Sequence, residues 1–407
     1  MPAEAIIRRY FNKGRLMYSR NIRMFPWFYG LWGFCPYSVI AILYYEQLTG
    51  SYAVAMSVFA ASSVFSSLLE IPMGVISDLI GRRRTMIAGG ISFLCGDIFY
   101  VMAGYCPANA LIILYAGAVC KGMSVALFSG TDEAIVYESL NALGKKKEFD
   151  RFYGKARSAN QFTIGFAAVM GSLIAYYFSY HTVYEVALLS SAALALFNFG
   201  WKEPPAANFR GDLSVWRHLN EAAAAFRTKS RLRWLALADI LEHSTGMVTS
   251  RFETAYAQLL IPTWLLGGPR VLKQIFGTMS FWFAGLVIKK YKAIRVMIYA
   301  EYGQMLPRLA GLALNNFFSP FILMFSNIFY GLSVTGLKSL LQKQYLSRQR
   351  ATMSSMISMG TNAAFAILSV VIGWLADLTS VRTALFIFVG FRVIILLIYY
   401  RLGRRRS

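Results

Sequence analysis

Twelve stretches of this 407-residue chain are apolar over close to the length a helix needs to cross a bilayer, roughly 20 residues at 1.5 Å rise each. They cover 24–45, 52–77, 85–105, 109–138, 158–178 and 182–201 in the first half. In the second half they cover 231–258, 269–289, 295–315, 320–345, 351–377 and 381–400. A chain folding in water gathers its apolar residues into cores that stop growing near roughly 250–300 residues, and it surrounds them with charge. Here 57% of residues are hydrophobic and 15% charged, against roughly 25% charged in soluble domains. The surplus apolar surface must face lipid, where backbone groups can be satisfied only inside the segment, so the spans are expected to be α-helices. The expected fold class is an all-α membrane protein of twelve transmembrane helices.

The net charge of +22 would suit a nucleic-acid binder if the basic residues formed one patch. They alternate instead with the spans. With the N-terminus inside, 33 of the 41 Lys and Arg fall on cytoplasmic stretches. Arg270, Lys273 and Arg382 fall on outer loops, and Lys121, Arg251, Arg308, Lys338 and Arg392 fall within spans. This is the positive-inside bias, and it leaves no role for nucleic acid. Residues 1–23 hold six basic residues without an apolar run ending in a cleavage site, so no signal peptide is expected. Both termini are expected in the cytoplasm. Cys35, Cys95, Cys106 and Cys120 lie in or beside apolar runs without metal-ligand spacing, so free thiols and neither metal nor cofactor are expected.

The longest polar stretch, 202–230, opens with Glu203, Pro204 and Pro205 and divides six spans from six. The expected organisation is an amphipathic tail at 1–23, a six-helix bundle at 24–201, a linker at 202–230, a second bundle at 231–400 and a basic tail at 401–407. Leu213, Trp216, Leu219 and Phe226 recur near helical spacing in the linker, as Ile6, Ile7, Tyr10 and Phe11 do in the tail. Both segments read as helices lying on the membrane surface.

Between spans two and three stand Gly74, Asp78, Gly81, Arg82, Arg83 and Arg84, spaced G-x-x-x-D-x-x-G-R-R-R. This resembles the loop signature of the major facilitator superfamily. The glycines permit a tight turn, the arginines hold lipid headgroups, and Asp78 is an anion at a helix end. Gly74, Asp78, Gly81, Arg82, Arg83 and, at the start of span eleven, Arg350 are the expected gate residues. Asp78 would meet the free N–H groups around Ala351 to Ser354. Further likenesses are Glu70, Ile71 and Pro72, the run from Ser129 to Ala134, and Arg350, Ala351 and Thr352. Together they look like a bacterial branch of the family whose members mostly lack assigned substrates.

The resemblance implies two halves related by pseudo-twofold symmetry and alternating access to a cavity near the bilayer midplane, lined by spans one, four, seven and ten. The chain also departs from the pattern. Lys289 and Lys292 stand in the second-half loop where Asp and Gly would be. Ala118 occupies the place of the family's frequent span-four arginine, with Lys121 one turn later, and span five carries Gly165 and Gly171 but no Gly-Pro pair.

Ionisable groups inside a bilayer cost several kcal/mol unless they face water or a partner, at least roughly 2.5–3.5 on the insertion scale, and so they mark function. Lys121 is a candidate for substrate binding or for a pair with Asp97. In span seven Asp239, Glu242 and His243 share a face at i, i+3 and i+4, and with Asp97 they are the proton-coupling candidates. Span ten aligns Asn327, Gly331, Thr335, Lys338 and Gln342. Span one carries Tyr29, Trp32, Pro36, Tyr37 and Tyr44 as an aromatic stripe. The expected binding set is Tyr29, Trp32, Tyr37, Lys121, Glu242, His243, Asn327, Thr335 and Lys338. Glu70, Glu301, Arg308 and Arg392 read as structural pairs or gate elements.

Two lysines at one cavity would favour an anionic or zwitterionic organic metabolite, up to siderophore size, carried by a monomer coupled to protons. The aromatic stripe alone would favour export of amphipathic drugs, and lipid flipping is a further use of the same fold. No catalytic or metal-ligand cluster marks an enzyme. His181 and His218 are expected outside the spans, so His243 is not expected to bind metal.

Overall fold

The computed structural model describes residues 2–204, 226, 228–344 and 350–404, with side chains from residue 18 onward except at 150 and 350–352. Among them every regular element is helical. In the first half these are α1 (Pro2–Gly33), α2 (Ala41–Thr49), α3 (Tyr52–Ile80), α4 (Arg82–Tyr105), α5 (Ala110–Phe128), α6 (Thr131–Ala142), α7 (Phe149–Tyr177) and α8 (Tyr180–Asn198). In the second half they are α9 (Ser230–Gln258), α10 (Gly267–Lys290), α11 (Ala293–Leu314), α12 (Ser319–Met324), α13 (Asn327–Gln344), α14 (Arg350–Leu378), α15 (Val381–Phe391) and α16 (Val393–Arg404). The expected surface helix over Leu213, Trp216 and Leu219 lies outside the described residues, as do the side chains of the N-terminal tail and of Arg350.

Nine helical segments among the described residues are long and apolar enough to cross a membrane. They match expected spans two to six, eight, ten, eleven and twelve. The other three expected spans fail that measure for chemical reasons. The first is split between α1 and α2 by a 3-10 turn at Pro36–Val39, where proline supplies no N–H to continue a helix. The seventh, α9, carries Asp239, Glu242, Arg251 and Glu253, and the ninth, α11, carries Glu301 and Arg308. Asp239, Glu242, Glu253, Glu301 and Arg308, all buried, stand in the helices that hydropathy alone rejects. Spans four, ten and twelve are each broken as well, at Ser129–Gly130, Phe325–Ser326 and Arg392.

Large apolar side chains face outward, among them Trp282, 78% exposed, and Leu79, 79% exposed. Such a surface is tolerable only in lipid. The chain divides by contacts into two compact units. The first comprises Met1–Ser38, Val64–Gly171 and Phe178–Arg210, and the second Val39–Ser63, Ser172–Tyr177 and Gly211–Ser407. The first packs Phe25, Phe28, Met86, Phe93, Phe128, Leu140 and Trp201 together. The second packs Leu232, Leu235, Met297, Leu337, Met353, Ile395 and Tyr399. With lipid outside as apolar as the core, close packing and polar contacts hold such helices together.

The linker alone would assign 39–63 to the first half. Hydrogen bonding assigns it to the second unit. The Asp377 carboxylate, near the end of α14, accepts from the Tyr52 N–H at 2.8 Å, the Ala53 N–H at 3.0 Å and the Ser51 hydroxyl at 2.6 Å. The first N–H groups of a helix have no partner within it, and here a distant anion supplies one for α3. Deeper in the same unit, the Ser63 hydroxyl donates to Asn362 at 3.1 Å, and the Ser172 hydroxyl donates to the Trp264 carbonyl at 3.1 Å.

Candidate functional site

In the second unit α9, α13 and α14 enclose a cavity of about 200 Å³ lined by Asp239, His243, Lys338, Gln342, Ser354, Ser358 and Thr361 among others. Residues one turn apart on a helix share a face, which brings Asp239 and His243 together on α9 and Lys338 and Gln342 together on α13. The His243 Nδ1 lies 3.3 Å from the Asp239 carboxylate and 3.0 Å from the Asp239 carbonyl. Lys338 is exposed to this space, so its ammonium escapes the cost of hydrocarbon. An imidazole backed by a carboxylate can take up and release a proton near neutral pH. A lysine across the same cavity can hold an anionic group.

Glu242 does not line this cavity. It is fully buried, where it accepts from the Tyr399 hydroxyl at 2.6 Å and from the Gln304 amide at 3.4 Å. Gln304 and Thr245 in turn accept from Arg392 at 3.2 and 3.3 Å. Arg392 grips Glu301 through both carboxylate oxygens at 2.7 and 2.8 Å. The shared face expected for the α9 triad is therefore divided: at about 100° per residue Glu242 stands about 60° from Asp239 and about 100° from His243 around the helix, on the side that faces the bundle. Tyr399 and Gln304 are absent from the expected set because nothing local distinguishes a tyrosine at a helix end from a lipid anchor.

Span ten is also divided. Asn327 is buried and donates to the Met324 carbonyl at 3.1 Å, satisfying the backbone where α12 breaks into α13. Asn327 and the half-buried Thr335 are not among the cavity's lining residues.

In the first unit Lys121 and Asp97 form a buried ion pair at 2.7 Å. The ammonium also lies 3.1 Å from the centre of the Phe93 ring and 5.4 Å from that of Tyr37. A methyl group added at Gly96 would come within 2.8 Å of the Lys121 side chain, so that glycine lets the lysine lie across α4. Tyr37 stacks on Tyr184 with ring centres 4.8 Å apart.

The aromatic stripe of α1 is largely internal packing. Tyr29 is buried and donates to Asp132 at 2.7 Å, while Trp32 packs on Phe28 and Phe128. Asp132 also accepts from the Glu133 N–H at 2.8 Å. Asp132 belongs to the stretch from Ser129 to Ala134, but its partnership with Tyr29 spans 103 residues and has no sequence signal.

At the glycine-arginine turn Asp78 pairs with Arg82 at 2.7 Å, and Arg82 reaches Glu138 at 3.4 Å and the Ser77 hydroxyl at 2.9 Å. Glu203 accepts from the N–H groups of Arg82 and Arg83, both at 2.8 Å, and so caps α4. Gly81 has φ +95° and a Cβ there would meet the Glu203 carboxylate at 2.9 Å, two reasons for glycine at this position. The Arg83 side chain donates to the Trp201 carbonyl at 2.8 Å. Gly74 sits half-exposed on α3. Arg270 and Lys273, expected in an outer loop, lie within α10, where Lys273 pairs with Glu253 at 2.7 Å and Arg308 pairs with it at 3.3 Å. The helix starts at Gly267, two residues before the apolar run, and an internal carboxylate takes the charge of Lys273.

The family model of the Major Facilitator Superfamily matches residues 27–337. No curated protein sequence matches the chain. Among solved structures, the nucleoside transporter NupG is similar with a TM-score of 0.78 and 16% identity, covering 95% of this chain and 99% of that one. A D-xylose-proton symporter has a TM-score of 0.70 and 13% identity, covering 95% and 98%. A bacterial homologue of the human lysosomal transporter Spinster, inward-facing and unoccupied, has a TM-score of 0.69 and 13% identity, covering 95% and 97%.

Proposed function

This chain belongs to the Major Facilitator Superfamily and is a multi-pass membrane transporter, and from that premise we propose that it carries a polar, anionic or zwitterionic organic metabolite in exchange for, or together with, protons. The observation that carries the reading is the cavity in which Lys338 shares walls with the Asp239–His243 pair. A lysine there offers a charge-assisted hydrogen bond to a carboxylate or phosphate. The neighbouring imidazole–carboxylate pair changes charge with protonation, which is what couples an ion gradient to binding. Proton coupling in a symporter of this fold supports the same idea by analogy of fold alone. Lys121, held by Asp97, supports binding from the first unit only if a substrate competes for that pair. The packed state of the α1 aromatics speaks against a purely apolar export pocket. In this reading the protein works in the bacterial inner membrane by alternating access, with both termini cytoplasmic.

The test is counterflow in proteoliposomes against a panel of anionic, zwitterionic and neutral metabolites, with and without an imposed pH gradient. A substrate of the anionic or zwitterionic group, accelerated by the gradient and lost in Lys338→Ala, is expected. Transport of neutral amphipaths alone, unchanged in Lys338→Ala, would overturn the proposal.

A further inference from the structure

A second polar cavity in the C-terminal unit lies apart from the Asp239–His243–Lys338 cavity. It is small, about 20 Å³, and is lined by Ser250, Glu253, Thr254, Arg270 and Lys273 together with apolar groups. Its electrostatics are unbalanced. Arg270 and Lys273 converge on a single neutral oxygen, the Ser250 hydroxyl, at 3.2 and 2.9 Å. Cations that meet at one oxygen repel each other, and inside a low-dielectric bundle that repulsion is not screened as it would be in water. Glu253 is the carboxylate of the cavity wall, and it already serves two cations, Lys273 at 2.7 Å and Arg308 at 3.3 Å. Three cations therefore stand about one carboxylate, and Arg270 has no ion pair among the described residues. The buried Arg270 Nε has no hydrogen-bond partner among the described residues, and an unsatisfied donor on a buried charge is costly.

We propose that this cavity is a binding site for a small inorganic monoanion of chloride's size, held by Arg270, Lys273 and the Ser250 hydroxyl. The anion would accept from the guanidinium and the ammonium, and Ser250 could turn its own proton toward it. The volume admits about one water-sized species, which suits a halide and excludes the body of an organic substrate. Glu253 beside the site disfavours polyanions, since its negative charge faces the same space. The anion's part is to offset charge and fix α10 against α9, and it needs no residue of the proposed transport cavity.

The experiment uses the purified full-length protein in detergent and follows its thermal unfolding as sodium gluconate is replaced by sodium chloride at constant ionic strength, so that screening does not change. A ligand that binds only the folded state raises apparent stability with its concentration, so a saturable rise is expected in chloride. Arg270→Gln should raise the half-saturating concentration by about tenfold or more, the consequence of losing one charge-assisted hydrogen bond. Should Arg270→Gln fail to fold, anomalous scattering from crystals of the unaltered protein grown in bromide gives the second reading, with a peak expected against Arg270 and Lys273. Equal stability in gluconate and chloride, a rise unaltered by Arg270→Gln, or bromide crystals without that peak would overturn the proposal. A rise with acetate or formate but not with chloride would also overturn it, because the anionic group would then be a carboxylate.

Discussion

The Tyr52 N–H donates to the Asp377 carboxylate at 2.8 Å across 325 residues of sequence. The same carboxylate takes the next N–H and the Ser51 hydroxyl, so the start of α3 is capped from α14. Such a cap is worth about 0.5–2 kcal/mol. Replacing Asp377 with alanine should lower stability by about 1 kcal/mol, whereas Asp377→Asn, which keeps an acceptor, should lose less. Thermal unfolding of the two purified variants checks this, and an Asp377→Ala variant as stable as the unaltered protein would mean that the cap contributes nothing.

Arg392 and Glu301 are each almost wholly buried and joined by two hydrogen bonds. Breaking a buried pair from one side leaves an orphaned charge and costs about 3–5 kcal/mol, whereas replacing both partners by apolar groups of like volume can be neutral. Arg392→Met should therefore destabilise severely, and the double variant Arg392→Met with Glu301→Leu should recover much of the loss. Chemical denaturation of the two would show it. A double variant no better than the single would place the energy in the contacts of Arg392 to Gln304 and Thr245 instead.

For Lys121 the same logic separates structure from binding. Lys121→Ala orphans the buried Asp97, and Lys121→Ala with Asp97→Ala removes the pair. If the lysine is structural, folding and transport return together in the double variant. If it also binds substrate, stability returns while transport stays at least about tenfold down, the loss expected from one charge-assisted contact. Unfolding and counterflow measured on the same preparations distinguish the two.

His243→Gln keeps the side chain's bulk near that of the imidazole but cannot change charge. Between pH 5 and 8, where an ordinary imidazole titrates, transport by the unaltered protein should vary with pH, and transport by the variant should flatten. Identical pH profiles would remove His243 from the coupling role and leave Asp239 to carry it.

Much of the site was legible because helical periodicity is local. Asp239 and His243 at i and i+4, and Lys338 and Gln342 at the same spacing, do line one cavity. Glu242 was grouped with them by spacing, yet its rotation around α9 brings it to Tyr399 and Gln304. Asn327 continued the stripe on paper, but the helix breaks at its N-terminal side and its amide is used there. Lys121 and Asp97 could be matched by depth alone. Asp132 with Tyr29, Ser250 with two cations, and Asp377 with α3 could not, because each partnership depends on which helices are neighbours.

The amino-acid sequence alone determined that this chain is helical and lies in lipid, since apolar runs of bilayer length leave no other way to satisfy the backbone. It also carried the turn at Gly81 and the arginines after it, features confined to a few consecutive residues. The tertiary structure decided which buried charge meets which. In hydrocarbon an ionisable side chain must find a partner wherever the packing of helices offers one, and that partner is chosen by rotation, depth and helix breaks that no local pattern records.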